Sequence, residues 1–376
     1  MPARDDALRS DLLAVFARGV GAPLSDADFN ALALRVFAYQ IERNAAYAAY
    51  CRRRGATPET VGHWTRIPAV PTSAYKEIPL VAGDPAGARA VFRTSGTTRG
   101  PERRGAHYVL DLALYRASLL PTFEAYLLPD GARLPVLSLI PSAADAPDSS
   151  LSWMAAAIMD ELGAPGGGWF AAPYSGLQEA SLGRALRGFE AAGQPVCLLG
   201  TSLAFAHWLD GLRARGERLA VPPGSRLMDT GGFKGHRREV SSDTLRADYR
   251  DLLGIPETHA VNEYGMTELL SQYYDAALRD HTLGRGGEPR RKAGPPWLRA
   301  VVADPETLEP LPRGETGILR HVDLANLDSV AAIQTEDLGR EVEDGFLLLG
   351  RAAGAAPRGC SIAADLLIRA ARETGA

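Results

Sequence analysis

The sequence is poor in the features that mark several protein classes. Its three cysteines, Cys51, Cys197 and Cys360, are too few and too scattered for a disulfide framework or a zinc site. No uninterrupted apolar stretch reaches the roughly 18 residues that a membrane-spanning helix needs, and the N-terminus lacks the apolar region of a signal peptide. The net charge of −4 provides no basic field for nucleic acid or anionic lipid. These absences favour a cytoplasmic protein with free thiols, without a membrane span or a nucleic-acid partner.

What is present is the composition of a globular protein, with 46% hydrophobic and 23% charged residues in 376. The first 85 residues favour helix, with Ser25 as N-cap of one helix that runs from Phe29 to Tyr50. Residues 67–76 contain prolines, which favour an extended chain. Further along, predicted strands alternate with predicted helices: the strands are 134–140, 196–199 and 226–229, and the helices are 108–127, 150–162, 177–192 and 202–215. This alternation predicts an α/β fold with a largely parallel, buried sheet.

A loop of small residues follows the apolar run 90–92. It reads Thr94-Ser95-Gly96-Thr97-Thr98-Arg99-Gly100. Glycines let successive backbone N–H groups point at one anion, and hydroxyls add donors without bulk, so the loop suits a polyphosphate. It is not the Walker pattern, because no Gly-Lys-Ser/Thr follows at the required spacing. Taken alone, a loop of this composition is as often an ordinary turn as a phosphate-binding loop.

Paired glycines, Gly231 and Gly232, follow the strand predicted to end at Asp229. Glycines just after a parallel strand lie at the carboxyl edge of the sheet, where ligands of open α/β sheets bind. Lys234 is then a candidate partner for a phosphate or a carboxylate. A tight strand-to-helix turn explains the glycines equally well.

A third segment, Glu263-Tyr264-Gly265-Met266-Thr267-Glu268, also follows a short apolar strand. An aromatic ring such as Tyr264 suits stacking on a flat base, Thr267 offers a hydroxyl to a phosphate, and Glu268 offers a hard oxygen to magnesium. The alternatives are that Thr267 caps a helix and that Tyr264 belongs to the core.

The C-terminal part changes character, because residues 333–340 and 344–351 have the pattern of strands joined by a tight turn. Asp337 in the first of them is a candidate to hold a ribose diol, as acidic residues do in other nucleotide folds. The alternative is an aspartate of a β-turn.

Taken together and in this order, these segments resemble the adenylate-forming superfamily of acyl-CoA synthetases, adenylation domains and luciferase. The resemblance implies ATP and Mg²⁺ as cofactors, with the loop around the ATP phosphates, Tyr264 against adenine, Thr267 on phosphate and Glu268 on magnesium. Asp337 and Arg351 would contact the ribose. The full set of residues implied in cofactor binding is Thr94, Ser95, Gly96, Thr97, Thr98, Gly100, Gly231, Gly232, Glu263, Tyr264, Gly265, Met266, Thr267, Asp337 and Arg351.

Two departures from the superfamily pattern are visible. In the loop, Arg99 intervenes and Glu102 stands where the family commonly has a lysine after Pro101. At the C-terminus, the segment 352–376 lacks lysine and is too short for the small lysine-bearing domain of ordinary members. This shortening, with Gly231-Gly232-Phe233-Lys234 and Pro357-Arg358-Gly359-Cys360-Ser361, is similar to the LuxE-like acyl-protein synthetase branch. We therefore expect an adenylation domain over 1–350 and a short tail, 351–376, that carries Cys360.

The branch implies a function and a catalytic set. A carboxylic acid, expected to be a fatty acid, is activated to acyl-AMP and passed to a thiol, with Cys360 as the acyl-enzyme that delivers the group to a partner such as a reductase or carrier protein. Cys360, Thr267 and Lys234 are the catalytic candidates. Two alternatives stay open: coenzyme A or a carrier-protein thiol as direct acceptor, and a catalytically silent acyl- or nucleotide-binding subunit.

Overall fold

A computed structural model describes residues 2–94, 104–173, 175–231, 240–286, 289–351 and 358–374. The helices are α1 Pro2–Ala17, α2 Asp26–Arg43, α3 Ala45–Arg53, α4 Ala113–Leu127, α5 Ser150–Leu162, α6 Glu179–Ala192, α7 Ser202–Ala214, α8 Ser242–Leu253, α9 Ala277–Thr282 and α10 Arg358–Thr374. The strands are β1 Val70–Pro71, β2 Ala90–Arg93, β3 Ala106–Val109, β4 Pro135–Ser138, β5 Ala164–Trp169, β6 Ala171–Ala172, β7 Gly176–Leu177, β8 Cys197–Thr201, β9 Arg226–Thr230, β10 Ala260–Tyr264, β11 Tyr273–Asp275, β12 Lys292–Ala293, β13 Leu298–Ala303, β14 Thr316–Asp323, β15 Ala332–Val342 and β16 Gly345–Arg351. Within these ranges, no helix combines the length and the apolar character that crossing a membrane requires.

The chain forms two compact units. The first unit comprises Met1–Thr122, Met266–Gln272 and Arg291–Ala376, and the second comprises Phe123–Gly265 and Tyr273–Arg290. The segment from Glu263 to Glu268 therefore belongs to the second unit up to Gly265 and to the first unit from Met266 onward.

The second unit is built on the predicted parallel sheet. Its strands lie in the order β11-β10-β9-β8-β4-β5, and all neighbours are parallel except β11, which is antiparallel to β10. Leu198 in β8 faces Leu137 in β4 and Leu227 in β9. The core between this sheet and helices α6, α7 and α8 is aliphatic and aromatic, and includes fully buried Phe205 and Leu209. The continuous apolar runs are strands because both faces of the sheet are covered.

The first unit contains the predicted β-rich part. Strands β13, β14, β15 and β16 are antiparallel neighbours, β12 pairs with β16, and β1 adds in parallel to β15. The turn between β15 and β16 uses positive φ angles at Asp344 (54°) and Gly345 (146°). A side chain at Gly345 would also collide with the carbonyl oxygen of Lys292, so glycine is required there.

The single helix predicted from Phe29 to Tyr50 is wrong, because Asn44 divides it into α2 and α3. The backbone N–H of Asn44 donates to Gln40 at the end of α2, and its side chain accepts the N–H of Tyr47 (3.0 Å) at the start of α3. One residue thus caps two helices. The predicted N-cap, Ser25, is confirmed, since its hydroxyl accepts the N–H of Asp28 at 3.1 Å.

Two other local predictions need correction. Residues 72–76, expected to be extended, form a short 3₁₀ helix after β1. The helix expected from Tyr108 begins only at Ala113, because residues 106–109 are β3 and pair with β2. The second difference depends on the pairing of β3 with β2 across a loop, which the apolar pattern of residues 108–127 does not show.

The segment expected to be a short tail contains a helix. Residues 358–374 form α10, which packs on α3 and belongs to the first unit. The side chains of Ala363, Leu367 and Ala370 are fully buried, and their spacing places them on one face of the helix. The boundary at 350 remains a prediction.

Candidate functional site

The stem of the predicted phosphate loop is a closed hairpin. Arg93 in β2 faces Ala106 in β3. Beyond this pair, the N–H of Thr94 donates to the carbonyl of Gly105 (3.0 Å), and the N–H of Gly105 donates to the Thr94 hydroxyl (2.9 Å). The loop residues Ser95, Gly96, Thr97, Thr98 and Gly100 lie outside the described residues. The structure therefore brings the two ends of the loop together, with Thr94 at the start.

The strand ends of the second unit place two other predicted segments side by side. Thr230 in β9 and Glu263 in β10 are neighbours in a parallel pair, and the Thr230 hydroxyl donates to the Glu263 carboxylate. Gly231, immediately after β9, has a φ of +74°, a conformation that favours glycine. Gly232 and Lys234 lie outside the described residues. Tyr264, at the end of β10, is largely buried, and its ring is 6.1 Å from that of Tyr273.

A buried carboxylate fixes the end of β9. Asp229 accepts hydrogen bonds from the Tyr249 hydroxyl (2.9 Å), the Ser202 hydroxyl (3.1 Å) and the Asn262 amide (2.9 Å). Burial and the nearby carboxylate raise the pKa of Tyr249 well above its usual value, which keeps the phenol protonated as a donor. This network holds β9 and β10 in register two residues before Gly231.

Three buried side chains of the first unit hold the segment that carries Thr267 and Glu268. His107 Nδ1 lies 2.7 Å from the Thr267 carbonyl, and the Asn326 amide donates to the Glu268 carbonyl at 2.7 Å. Asp323 accepts hydrogen bonds from the N–H of Leu270 (3.0 Å) and from both the N–H (2.8 Å) and the hydroxyl (2.7 Å) of Ser271. We refer to His107, Asp323 and Asn326 as the polar clamp.

The electrostatics of His107 fit this role. Burial lowers the pKa of His107 to about 4, so the ring is neutral at pH 7. A neutral imidazole that bonds a carbonyl through Nδ1 must carry its proton on that nitrogen. Since His107 lies in β3, directly after the predicted phosphate loop, it ties the loop stem to the backbone of Thr267.

The predicted ribose ligands lie together on neighbouring strands. Asp337 in β15 faces Arg351 in β16, and Arg351 Nε donates to the Asp337 carboxylate at 3.3 Å. Asp337 is buried, whereas the Arg351 side chain is 45% exposed and also lies 3.6 Å from Glu336. The two residues thus meet in the structure, and their contact with a ribose remains a prediction.

Two of the three cysteines are unsuited to nucleophilic chemistry. Cys51 in α3 and Cys197 in β8 are both fully buried, and burial raises the pKa of each thiol to about 12. Since the thiolate is the nucleophile, both thiols are unreactive at pH 7. The backbone of Cys360 forms part of the first turn of α10, and its side chain lies outside the described residues.

Comparison with known proteins decides the family. The family model described as "Acyl-protein synthetase, LuxE" matches residues 176–366, just over half of the chain. The chain belongs to the LuxE acyl-protein synthetase family. The predicted LuxE-like branch is confirmed. As a member of this family, the chain is an AMP-forming ligase.

Two curated relatives are long-chain-fatty-acid–luciferin-component ligases. The one from Vibrio harveyi is 24% identical over 306 residues, which cover 81% of this chain and 76% of the relative. The one from Aliivibrio fischeri is 29% identical over 119 residues, which cover 30% of this chain and 28% of the relative.

Solved structures show the same fold. An open conformation of 2-hydroxyisobutyryl-CoA ligase, in complex with 2-HIB-AMP and CoA, has a TM-score of 0.59 at 16% identity and covers 89% of this chain and 76% of that one. The same ligase in its thioesterification state has a TM-score of 0.57 at 16% identity, and the match covers 89% of this chain and 70% of the ligase. The LuxE-family chain therefore has the α/β fold of adenylate-forming ligases.

The donor set of the LuxE-family chain is compatible with a magnesium–nucleotide ligand. Within the described residues, no cluster of three or more His, Cys, Asp or Glu is placed to hold a metal ion by itself. Mg²⁺ does not need one, because it takes one or two carboxylates and completes its shell with water and substrate phosphates. A single carboxylate such as buried Glu268 fits that requirement.

Sequence reasoning missed the polar clamp. His107 is an isolated histidine, and Asp323 and Asn326 stand in a buried run from Ile318 to Val330 that mixes apolar and polar residues, so none belongs to a motif. One signal was available: a polar side chain in a buried segment needs a hydrogen-bond partner, because leaving it unpaired costs free energy. Here the partners are backbone groups of the segment 266–272.

Proposed function

We propose that this LuxE-family protein activates a fatty acid with ATP and transfers the acyl group to its own Cys360. The observation that carries the proposal is the state of the three cysteines. Two are buried with thiol pKa values of about 12. Cys360 is the third residue of a helix of 17 residues. The positive end of a helix dipole favours a thiolate in its first turn.

The chemistry requires two steps. In the first, a carboxylate oxygen attacks the α-phosphorus of ATP, the bond to pyrophosphate breaks, and a mixed anhydride, acyl-AMP, forms. In the second, the Cys360 thiolate attacks the acyl carbonyl, AMP leaves, and a thioester forms. Magnesium would neutralise charge that develops on the departing phosphates.

We propose the same residue roles that the resemblance implies. Thr94 and the loop after it bind phosphate, Glu268 holds magnesium, and Asp337 with Arg351 binds the ribose. The closed hairpin at Thr94 and the contact between Asp337 and Arg351 support these assignments. Lys234, which follows β9 in the sequence, is proposed as a second catalytic residue.

The polar clamp supports the role of Thr267. Catalytic hydrogen-bond donors act best when they are fixed before the reaction, so that no reorganisation is needed as charge develops. The backbone of residues 267–271 is held by three buried side chains of different elements. We propose that this arrangement orients the Thr267 hydroxyl and the Glu268 carboxylate for the nucleotide.

The acyl group then leaves for an acceptor, which we propose is a partner protein such as a reductase or carrier protein. We place the reaction in the cytoplasm, where thiols are kept reduced. Domain 1–350 would perform the activation, and the segment 351–376 would present Cys360.

Labelling tests the proposal. Incubation with ATP and a radiolabelled long-chain fatty acid is expected to leave acid-stable, hydroxylamine-labile label on the wild-type protein. Cys360→Ser is expected to lose the label and to keep ATP–pyrophosphate exchange, whereas the matched control Cys51→Ser keeps both. Equal labelling of Cys360→Ser and wild type would overturn the acyl-enzyme step.

Two other results would redirect the proposal. Turnover by Cys360→Ser that depends on added coenzyme A or carrier protein would assign the acceptor role to an external thiol. Absence of pyrophosphate exchange with fatty acids of every chain length tried would favour a binding subunit without catalysis.

A further inference from the structure

A small cavity opens in the first unit beside the end of α3. Its volume is about 140 Å³, and its walls come from residues 54–56, 65–69, 307–309, β14 and β15. By the same measure of volume, a single water molecule needs only about 10–15 Å³. The cavity therefore has room for a small ion together with several waters.

The charges in the cavity wall are mostly positive. The ionisable residues in the lining are Arg54, Arg66, Arg320 and Glu309, so three cations face one carboxylate. The chain as a whole carries a net charge of −4. The positive lining is a local feature and does not follow from a generally basic protein.

Arg320 is the unusual member of this group. Its side chain is only 8% exposed, and its guanidinium donates to the carbonyls of Leu308 (2.9 Å), Ile67 (3.1 Å) and Thr65 (3.3 Å). Among the described residues, no carboxylate forms an ion pair with it, although Glu309 attracts it electrostatically, and its buried Nε has no hydrogen-bond partner. Burial lowers the pKa of Arg320.

A buried cation that no carboxylate contacts is destabilising, and an anion in the cavity would supply that contact. The three carbonyls fix the guanidinium in the cavity wall, so binding an anion would not require immobilising a flexible side chain. Arginine presents planar donors that match the oxygens of a phosphate group.

We propose that this cavity binds a phosphate group, with Arg320 as the fixed cation and Arg54 and Arg66 as exposed cations at its rim. The phosphate can belong to free inorganic phosphate or to a phosphate monoester on a larger ligand. The site shares no residue with the proposed nucleotide-binding set, so its test is independent of the proposed function.

Calorimetric titration of the full chain with inorganic phosphate, at constant ionic strength, tests the proposal. The wild type is expected to bind one phosphate. The double variant Arg54→Gln/Arg66→Gln is expected to bind it about tenfold more weakly, because two charge-assisted hydrogen bonds are lost. Arg340→Gln removes an exposed charge from β15, outside the cavity, and is expected to leave the affinity unchanged.

Absence of saturable binding by the wild type, or equal weakening in the double variant and in Arg340→Gln, would overturn the proposal. Arg320→Gln is expected to abolish binding. If Arg320→Gln fails to fold, the double variant decides between the two outcomes, because it changes only exposed residues. Titration with O-phosphoethanolamine separates the sources. Tighter binding than that of inorganic phosphate assigns the site to a monoester, and weaker binding assigns it to the free ion.

Discussion

The two units of this protein stabilise their strand ends in different ways. In the second unit, apolar side chains such as Leu198 and Phe205 fill the space between a parallel sheet and its helices, and polar contacts such as those of Asp229 lie at the strand ends. In the first unit, buried polar side chains hold loops and strand ends by hydrogen bonds to backbone groups, as Asp323 does for Leu270 and Ser271.

The difference has a physical consequence. Apolar packing is not directional and tolerates exchange among side chains of similar volume. A buried hydrogen bond specifies one position for one backbone group, and its loss leaves that group unsatisfied. The segment 267–271, proposed to position a nucleotide, is held by buried hydrogen bonds, which suits a site that requires fixed geometry.

The largest expected effect comes from removing the centre of the polar clamp. Asp323→Ala leaves several buried donors without an acceptor and is expected to lower the free energy of unfolding by about 4 kcal/mol. Pyrophosphate exchange should fall with it. Urea unfolding provides the measurement. The matched control is Asp304→Ala, since Asp304 accepts hydrogen bonds from the N–H groups of Glu306 and Thr307 on the surface. If Asp304→Ala lowered the free energy of unfolding as much as Asp323→Ala, burial of the carboxylate would not be the cause of the effect.

A cavity in the second unit should be nearly as costly but should spare the chemistry. Leu198 is fully buried in β8, and Leu198→Ala is expected to lower the free energy of unfolding by about 3 kcal/mol. Exchange activity per folded molecule should stay unchanged, as measured below the unfolding transition. Leu283→Ala, at a side chain that is 54% exposed, serves as control. Loss of exchange in the folded Leu198→Ala protein would show that the apolar core also sets the site geometry.

Acid should weaken the first unit through His107. Burial lowers the pKa of this histidine from 6.5 to about 4, so between these values the unfolded chain binds a proton that the folded protein does not. The free energy of unfolding should therefore fall as the pH falls, by about 2 kcal/mol between pH 7 and pH 5 for this one group.

Comparison with His107→Gln isolates that contribution. Glutamine can still donate to the Thr267 carbonyl but does not titrate, so the variant should lose less stability on acidification than the wild type. Asp323, whose pKa burial raises, has an effect of opposite sign but is present in both proteins. Parallel stability curves from pH 7 to pH 5 would show that folding does not lower the pKa of His107.

The smallest effect is expected away from both cores. Ser25→Ala removes the N-cap of α2 and should lower the free energy of unfolding by about 1 kcal/mol. Ser25→Asp, which keeps an acceptor at this position, should retain most of the stability in the same urea experiment. An alanine variant as stable as the wild type would mean that solvent replaces this cap fully.

The parts that could be predicted are those with a strong local pattern. Apolar runs indicated β4 and β8, the alternation of strands with helices indicated β9, and hydroxyl and glycine residues after strands indicated the candidate site segments. The parts that could not be predicted depend on distant partners. Helix α10, for example, packs on α3 and is stabilised by burying Ala363 and Leu367 in the first unit.

By itself, the sequence determined the α/β class, the superfamily and the residues proposed to contact ATP. These depend on side-chain chemistry and on the spacing of apolar residues, which are local properties of the chain. Only the tertiary structure decided how deeply Cys51 and Cys197 are buried and which side chains hold the Thr267 segment. It also decided that Arg320 has no ion-pair partner among the described residues. These are questions of burial and of hydrogen-bond partners, and both are set by residues hundreds of positions apart, such as Ile67 and Arg320.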